Sequence, residues 1–246
     1  MAPTIHLVRH AQGWHNVNVE NETMHDPELT PTGVQQCRDL RAQFPHHEKL
    51  TKLIASPMTR TLNTAIHSFG RNDLYPIKAL DVLQELSDLP SDTGSSPAKL
   101  KEVFGDKADL SQVREEWTQK MDGQLFEPTL EKILARAKES RRLIRDIANL
   151  DSDEHVAVVS HGGFLHWLSD EWQGIPMPYP TNWKNCEYRS FKFVDGTGKD
   201  EDAKLVETEE SWRRRKGSEA RLSDQEQDEL RRMLQREIVP TLKVKV

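Results

Sequence analysis

Short apolar runs alternate along this chain with longer stretches in which apolar residues recur every three or four positions. Ile5–Val8, closed by Arg9, is the first run and reads as a strand. Thr30-Pro31 then opens a helix, with threonine as N-cap and proline at the first helical position. Val34, Cys37, Leu40 or Arg41, and Phe44 mark its inner face. Leu50–Ala55 is a second strand, Ser56-Pro57 repeats the cap-then-proline start, and Met58–Phe69 continues as helix. Pro76–Leu83 is the next strand. Leu130–Leu150 is a long amphipathic helix whose buried face carries Ile133, Leu134, Ala137, Ile144, Ile147 and Ala148. Glu154–Ser160, with its His-Val-Ala-Val-Val core, reads as a strand buried on both faces; Gly162-Gly163 follows, then an apolar helix from Phe164 to Trp172.

Strands alternating with helices predict βαβ units and a mostly parallel sheet. The expected architecture is α/β: one three-layer α/β/α domain over residues 1–208, with helices on both faces. Residues 86–127 break the rhythm. They start rich in Ser, Asp, Pro and Gly and offer only short helical pieces, Pro97–Phe104 and Ser111–Lys120. Such an insertion lies over the carboxyl ends of the strands or packs as a small lid. After a proline-dense loop at 174–180, Cys186–Val194 alternates as a half-exposed antiparallel edge strand, and Ala203–Glu207 is its hairpin partner. Residues 209–246 form a charged extension in which Ser223–Glu237 is a helix and the rest is loose.

Composition narrows the function classes. Hydrophobic residues make up 35% and charged residues 30%, as in a polar globular protein. A net charge of −6 argues against nucleic acid as a partner. The basic cluster Arg213-Arg214-Arg215-Lys216 reads as a solvated stretch. Cys37 and Cys186 have no metal-site or redox-motif spacing, which fits a reducing compartment. No apolar segment precedes the first strand and no run reaches membrane-spanning length, so a cytoplasmic protein with no membrane partner is expected. Oligomeric state is not readable.

Four features fall at corresponding places. Arg9-His10 end the first strand, Arg60 opens the helix after the second, Glu85 lies just past the third, and His161 ends the Val156–Ser160 strand. The carboxyl ends of parallel strands share one edge, and ligand sites form there. Residue chemistry then suggests roles. Arg9 and Arg60 suit a bidentate clamp on a phosphate dianion. His10 suits a nucleophile if one ring nitrogen is held, by a backbone carbonyl for instance, and the other is free. His161 suits a donor to a phosphoryl oxygen. Asn16 and the backbone N–H groups at Gly13 and Gly162 add uncharged donors. Glu85 suits the proton donor to the leaving oxygen, with Asp88 and Asp92 as rival acids. The side chains supply the positive charge, so no metal and no other cofactor is required. His15 is equally a substrate-rim or a packing residue, His166 a satisfied buried histidine, His46-His47 solvated, and Trp183 and Tyr179 candidates for the substrate mouth.

Leu7-Val8-Arg9-His10-Ala11-Gln12-Gly13-Trp14-His15-Asn16 resembles the Arg-His-Gly signature of the histidine phosphatase superfamily, which includes the cofactor-dependent phosphoglycerate mutases. Leu29-Thr30-Pro31-Thr32-Gly33, Ser56-Pro57-Met58-Thr59-Arg60 and Val158-Val159-Ser160-His161-Gly162-Gly163 resemble three further motifs of that family, in order. Leu83-Gln84-Glu85 looks like its acid-bearing loop. The resemblance implies a phosphoglycerate mutase-like fold, a phosphohistidine at His10, a pocket of Arg9, Arg60 and His161, and a proton donor at Glu85. Ala11 departs from a usual glycine and Gly13 from a common serine.

The resulting expectation is a metal-independent phosphomonoester hydrolase acting on a small phosphorylated metabolite. Two other readings stand beside it: mutase-like phosphotransfer or another reaction in the same anion pocket, and a non-catalytic phosphate-recognition module whose charged tail docks a partner.

Overall fold

Thr4–Arg9 (β1) and His155–Ser160 (β5) lie side by side and parallel at the centre of a seven-stranded sheet, paired from Thr4↔His155 to Arg9↔Ser160. The structure is a computed structural model describing residues 2–177 and 180–243. Leu50–Ala55 (β2), Ile77–Leu80 (β3) and Ala108–Gln112 (β4) extend the sheet in parallel from β5. On the other side Tyr188–Phe193 (β6) runs antiparallel to β1, and Leu205–Glu207 (β7) closes the edge. The order is β4-β3-β2-β5-β1-β6-β7. Every residue of β5 is buried, which requires cover on both faces. Pro31–Gln43 (α1) packs against Thr59–Phe69 (α2), and Leu130–Ile147 (α4) against Gly162–Ser169 (α5).

Local chemistry explains most boundaries. The Thr30 hydroxyl accepts from Gly33 N (2.9 Å), capping α1 as the sequence predicts. Ser56, predicted to do the same for α2, does not. That helix starts at Thr59 behind Met58, which offers no side-chain cap. Its cap comes from a distance: buried Asp26 accepts from Thr59 N and Oγ1 (3.0 and 2.8 Å) and from Ser95 N and Oγ (3.1 and 2.8 Å). The α5 helix starts at Gly162, so both glycines belong to its first turn, and it stops at Ser169 rather than Trp172, where Asp170 turns left-handed (φ 54°). Leu134, expected to be buried on α4, is 45% exposed, while Ile133, Ala137 and Ile144 are buried.

The insertion differs most from expectation. Pro97–Phe104 (α3) is helical as predicted, but Ala108–Gln112 is a strand, and 113–120 contains turns and no helix. A run this short and polar carries no periodicity; β4 is held by β3, with Lys78 opposite Asp109 and their side chains 2.7 Å apart. The residues before α3 reach over the carboxyl end of the sheet, where Ser91 and Asp92 meet Arg60.

The tail is not loose. Glu209–Lys216 (α6) and Asp224–Ile238 (α7) bury Trp212, Leu234 and Ile238. Arg215, from the cluster read as solvated, pairs with Glu207 (2.7 Å) and Glu171 (3.0 Å) while Arg213 and Arg214 stay exposed. No helix among the described residues is long and apolar enough to cross a membrane.

Near the amino end of β5, His6, His46 and His155 pack together, with ring centroids 4.7–5.3 Å apart and His6 Nε2 2.8 Å from His155 Nδ1. His46 and His47, read as solvated, are therefore not simply so: His46 joins the stack and His47 lies edge-on to Phe44. Burial, and then the neighbouring imidazoles, hold His6 well below the usual histidine range; His155 and His46 are lowered too, burial again first. Groups lowered in the native state take up protons on unfolding, so this stability is complete above the unfolded pKa of about 6.5 and is lost below it. The melting temperature should fall between about pH 7.5 and about pH 5.5; a constant value across that range contradicts the assignment.

Candidate active site

The carboxyl ends of β1, β5 and β2 are in register. His10 N donates to Ser160 O (2.9 Å) and Ser56 N to Val159 O (2.9 Å). His10 and His161 thus leave adjacent strands together, with ring centroids 5.2 Å apart. His10 Nδ1 donates to Ala11 O (2.7 Å), which leaves Nε2 as the lone-pair nitrogen, 3.3 Å from Arg60 Nε. Burial, followed by Arg60, His15 and Arg9, holds His10 well below the usual histidine range, so it is neutral at physiological pH. The carbonyl of His10 is braced by Asn185 Nδ2 (2.9 Å). Ala11 is fully buried, its N–H on Thr64 Oγ1 (3.0 Å), so the alanine in place of glycine is accommodated.

Arg60 is fully buried and spans the site. Nη2 reaches His161 Nδ1 (3.1 Å) and Asp92 Oδ1 (3.0 Å), and Nη1 reaches Ser91 O (2.6 Å). With the contact to His10, four of its five N–H groups are engaged, so it does not stand open as a bidentate clamp. It supplies charge between the two imidazoles instead. His161 is likewise engaged on both nitrogens, Nδ1 accepting from Arg60 and Nε2 donating to Ser56 Oγ (2.9 Å), so the predicted free donor is absent in this arrangement. Arg9 is the less committed cation. It forms no ion pair among the described residues, Nη1 donates to Trp183 O, and its buried Nε has no partner. A side chain at Gly162 would come within 3.0 Å of that Nε, so the glycine gives Arg9 its room.

Gly13 does not offer its N–H outward; it donates to Asn16 Oδ1 (3.1 Å). Asn16 thereby spends its oxygen on the loop and keeps its amide N–H groups. Glu85 is placed by α5: its carboxylate accepts from Gly163 N (3.1 Å), Phe164 N (2.9 Å) and Leu86 N (3.0 Å). A Cβ at Gly163 would lie 2.8 Å from Glu85 Oε1. Burial and then Asp92 raise the Glu85 pKa, outweighing the backbone donors that favour the charged form. Asp92 is tied to Arg60 and to Ser87 Oγ (2.7 Å), so it is a partner of the arginine rather than a free acid. Asp88 N donates to Leu242 O in the C-terminal segment (3.2 Å).

Three residues here were not assigned to the site from sequence, although Ser56 was read as a helix cap. Lys120 Nζ donates to the carbonyls of Glu85 (3.1 Å), Ser87 (2.7 Å) and Asp92 (2.6 Å), pinning the acid loop, and burial pushes its pKa down to about 7. Ser56 holds His161. Arg136 lies over the Phe164 ring at 4.4 Å and donates to Glu85 O (3.3 Å); an arginine between Ile133 and Ala137 on a buried stripe was its one visible sign. Trp183, expected at the mouth, is instead buried under the Arg189 guanidinium (3.7 Å). Tyr179 lies outside the described residues. His166 is buried with Nδ1 on Glu171 O (2.7 Å), the satisfied histidine expected.

Paired histidines among arginines, at the carboxyl ends of parallel strands, define an α/β protein with its site at the sheet edge. Residues 5–208 match the histidine phosphatase superfamily (branch 1), and the chain belongs to that superfamily. It is 30% identical to a phosphoglycerate mutase-like protein of Arabidopsis thaliana, over 78% of this chain and 84% of that one. Among solved structures, Bacillus stearothermophilus YhfR shares the fold at a TM-score of 0.54 and 20% identity, covering 84% of this chain and 96% of that one. A phosphoserine phosphatase of Entamoeba histolytica does so at 0.50 and 19%, covering 84% and 95%. A mycobacterial glucosyl-3-phosphoglycerate phosphatase does so at 0.50 and 18%, covering 83% and 96%.

Proposed function

We propose that the protein is a phosphomonoester hydrolase working through a phosphohistidine on a small phosphorylated metabolite. The observation that carries this is His10: Nδ1 is spent on Ala11 O, which puts the lone pair of the neutral ring on Nε2, where it accepts a long hydrogen bond from Arg60 Nε (3.3 Å) that an incoming phosphoryl group would displace. Nε2 attacks phosphorus, the ester P–O bond breaks, and the proton of Glu85 passes to the leaving oxygen. Water then attacks the phosphohistidine, giving its proton to Glu85, and the N–P bond breaks to release phosphate. Arg9 and Arg60 offset the negative charge of the phosphoryl group. The membership of the superfamily supports this chemistry. So do the names of the phosphatases sharing the fold.

The curated relative's name favours a second reading, transfer of the phosphoryl group within a phosphoglycerate. Product analysis separates the two. Hydrolysis yields one inorganic phosphate per ester consumed, and an isomer formed without phosphate release overturns it.

The acid has its own test. Glu85→Gln is expected to lower kcat/KM for alkyl phosphates about 10²- to 10³-fold and to spare kcat/KM for aryl phosphates, whose leaving group needs no proton, because kcat/KM reports the step that forms the phosphohistidine and not its hydrolysis. Because the Glu85 pKa is raised, its acid form persists above the usual carboxylate range. Wild-type turnover of alkyl phosphates should therefore fall as pH rises through that pKa, and the glutamine variant should lack this limb. Equal losses on both ester classes would assign the proton elsewhere.

A further inference from the structure

Each histidine around the site except one is held by a protein partner: His10 by Ala11 O, His161 by Ser56 and Arg60, His166 by Glu171 O. His15 has no side-chain hydrogen bond among the described residues, although its Nδ1 is buried. Its ring packs against His10 at 5.4 Å between centroids, tilted by 46°. Burial, then Arg60 and Arg9, lower its pKa to about 2, so the ring is neutral.

The space it occupies is made by Gly13. A Cβ there would lie 2.8 Å from His15 Cε1 and Nδ1 and 3.3 Å from Glu28 O. A side chain at 13 and an imidazole at this position exclude one another. A buried nitrogen without a partner is a standing cost to the fold. Among the described residues the ring hydrogen-bonds no backbone group and joins no ion pair.

We propose that His15 is a further substrate-binding residue, donating from Nε2, the ring nitrogen not packed on Gly13, to an oxygen of the phosphoryl group held against His10. This rests on the phosphomonoesterase reading above. The loop from Gly13 to Asn16 is then built to present that ring: Gly13 clears its place, and Asn16 closes the turn by accepting from Gly13 N. A neutral N–H adds affinity for a phosphoryl group without adding a further charge beside Arg9 and Arg60.

The test compares His15→Phe, which keeps a flat ring and loses the donor, with His15→Gln, which keeps a donor on a different frame. The readouts are binding of inorganic phosphate by calorimetry and KM for p-nitrophenyl phosphate. The phenylalanine variant should bind phosphate about tenfold more weakly or worse, with KM rising in step, and the glutamine variant should stay within about threefold of wild type. Gly13→Ala should reproduce the phenylalanine result, and adding it to His15→Phe should bring little further loss. In the wild type, the His15 imidazole resonances should move as phosphate saturates the site, which requires no variant to fold. Unmoved resonances, or wild-type affinity in His15→Phe, overturn the assignment while leaving the hydrolase reading intact. A wild type that neither binds phosphate nor turns over any monoester overturns both.

Discussion

Replacing His10 with alanine is expected to lower turnover of phosphomonoesters by at least about 10⁴-fold, with the fold intact. No neighbour can take over the attack. The His161 lone pair on Nδ1 is held by the Arg60 Nη2 that also binds Asp92, at 3.1 Å against 3.3 Å for the Arg60 Nε contact to His10 Nε2, and its Nε2 is spent on Ser56. The variant removes one hydrogen bond, to Ala11 O, and one acceptor of Arg60, so the loss of stability should be small beside the loss of rate. Rapid quenching of the wild type during turnover should trap acid-labile, base-stable phosphate that the variant lacks. A variant with full turnover ends the phosphohistidine mechanism.

Arg60→Ala should damage both activity and stability. The guanidinium is fully buried and joins His10, His161, Ser91 and Asp92. Removing it strands the Asp92 carboxylate, which among the described residues keeps only Ser87 Oγ, in a site where its side chain is 13% exposed. Breaking a buried pair in this way costs about 3–5 kcal/mol, and losing the central cation costs about 10³-fold in kcat/KM. Arg60→Lys keeps the charge but cannot reach four acceptors from one plane, so it should recover part of the stability and little of the rate. Denaturant unfolding with kcat/KM for the same preparations checks both; a stable, active alanine variant contradicts the role given to this arginine.

The sheet was legible because its strands carry their own signal. Leu50–Ala55 is apolar enough to mark itself, and Thr30-Pro31 states a helix start in two residues. Placing His10, Arg60, Glu85 and His161 at one edge followed from topology, since parallel strands end together. What did not show was who holds whom. Asp92 and Glu85 are both carboxylates in one polar loop, and only the fold reveals that one answers Arg60 while the other caps α5. Lys120 looks like any surface lysine until three carbonyls converge on it. β4 was missed because its pairing with β3, not its own pattern, makes it a strand. Long-range partners of this kind leave no local periodicity.

Asp26 joins three parts of the chain that are far apart in sequence: its own loop, the first residue of α2 and Ser95. The insertion residues that meet Arg60 lie a few positions before Ser95, and Arg60 itself directly follows Thr59. One carboxylate therefore fastens the cover of the site to the helix that bears its central cation. Local opening of the insertion would leave that buried carboxylate short of two donors, so cover and helix start should exchange amide hydrogens at matched rates, as one cooperative unit.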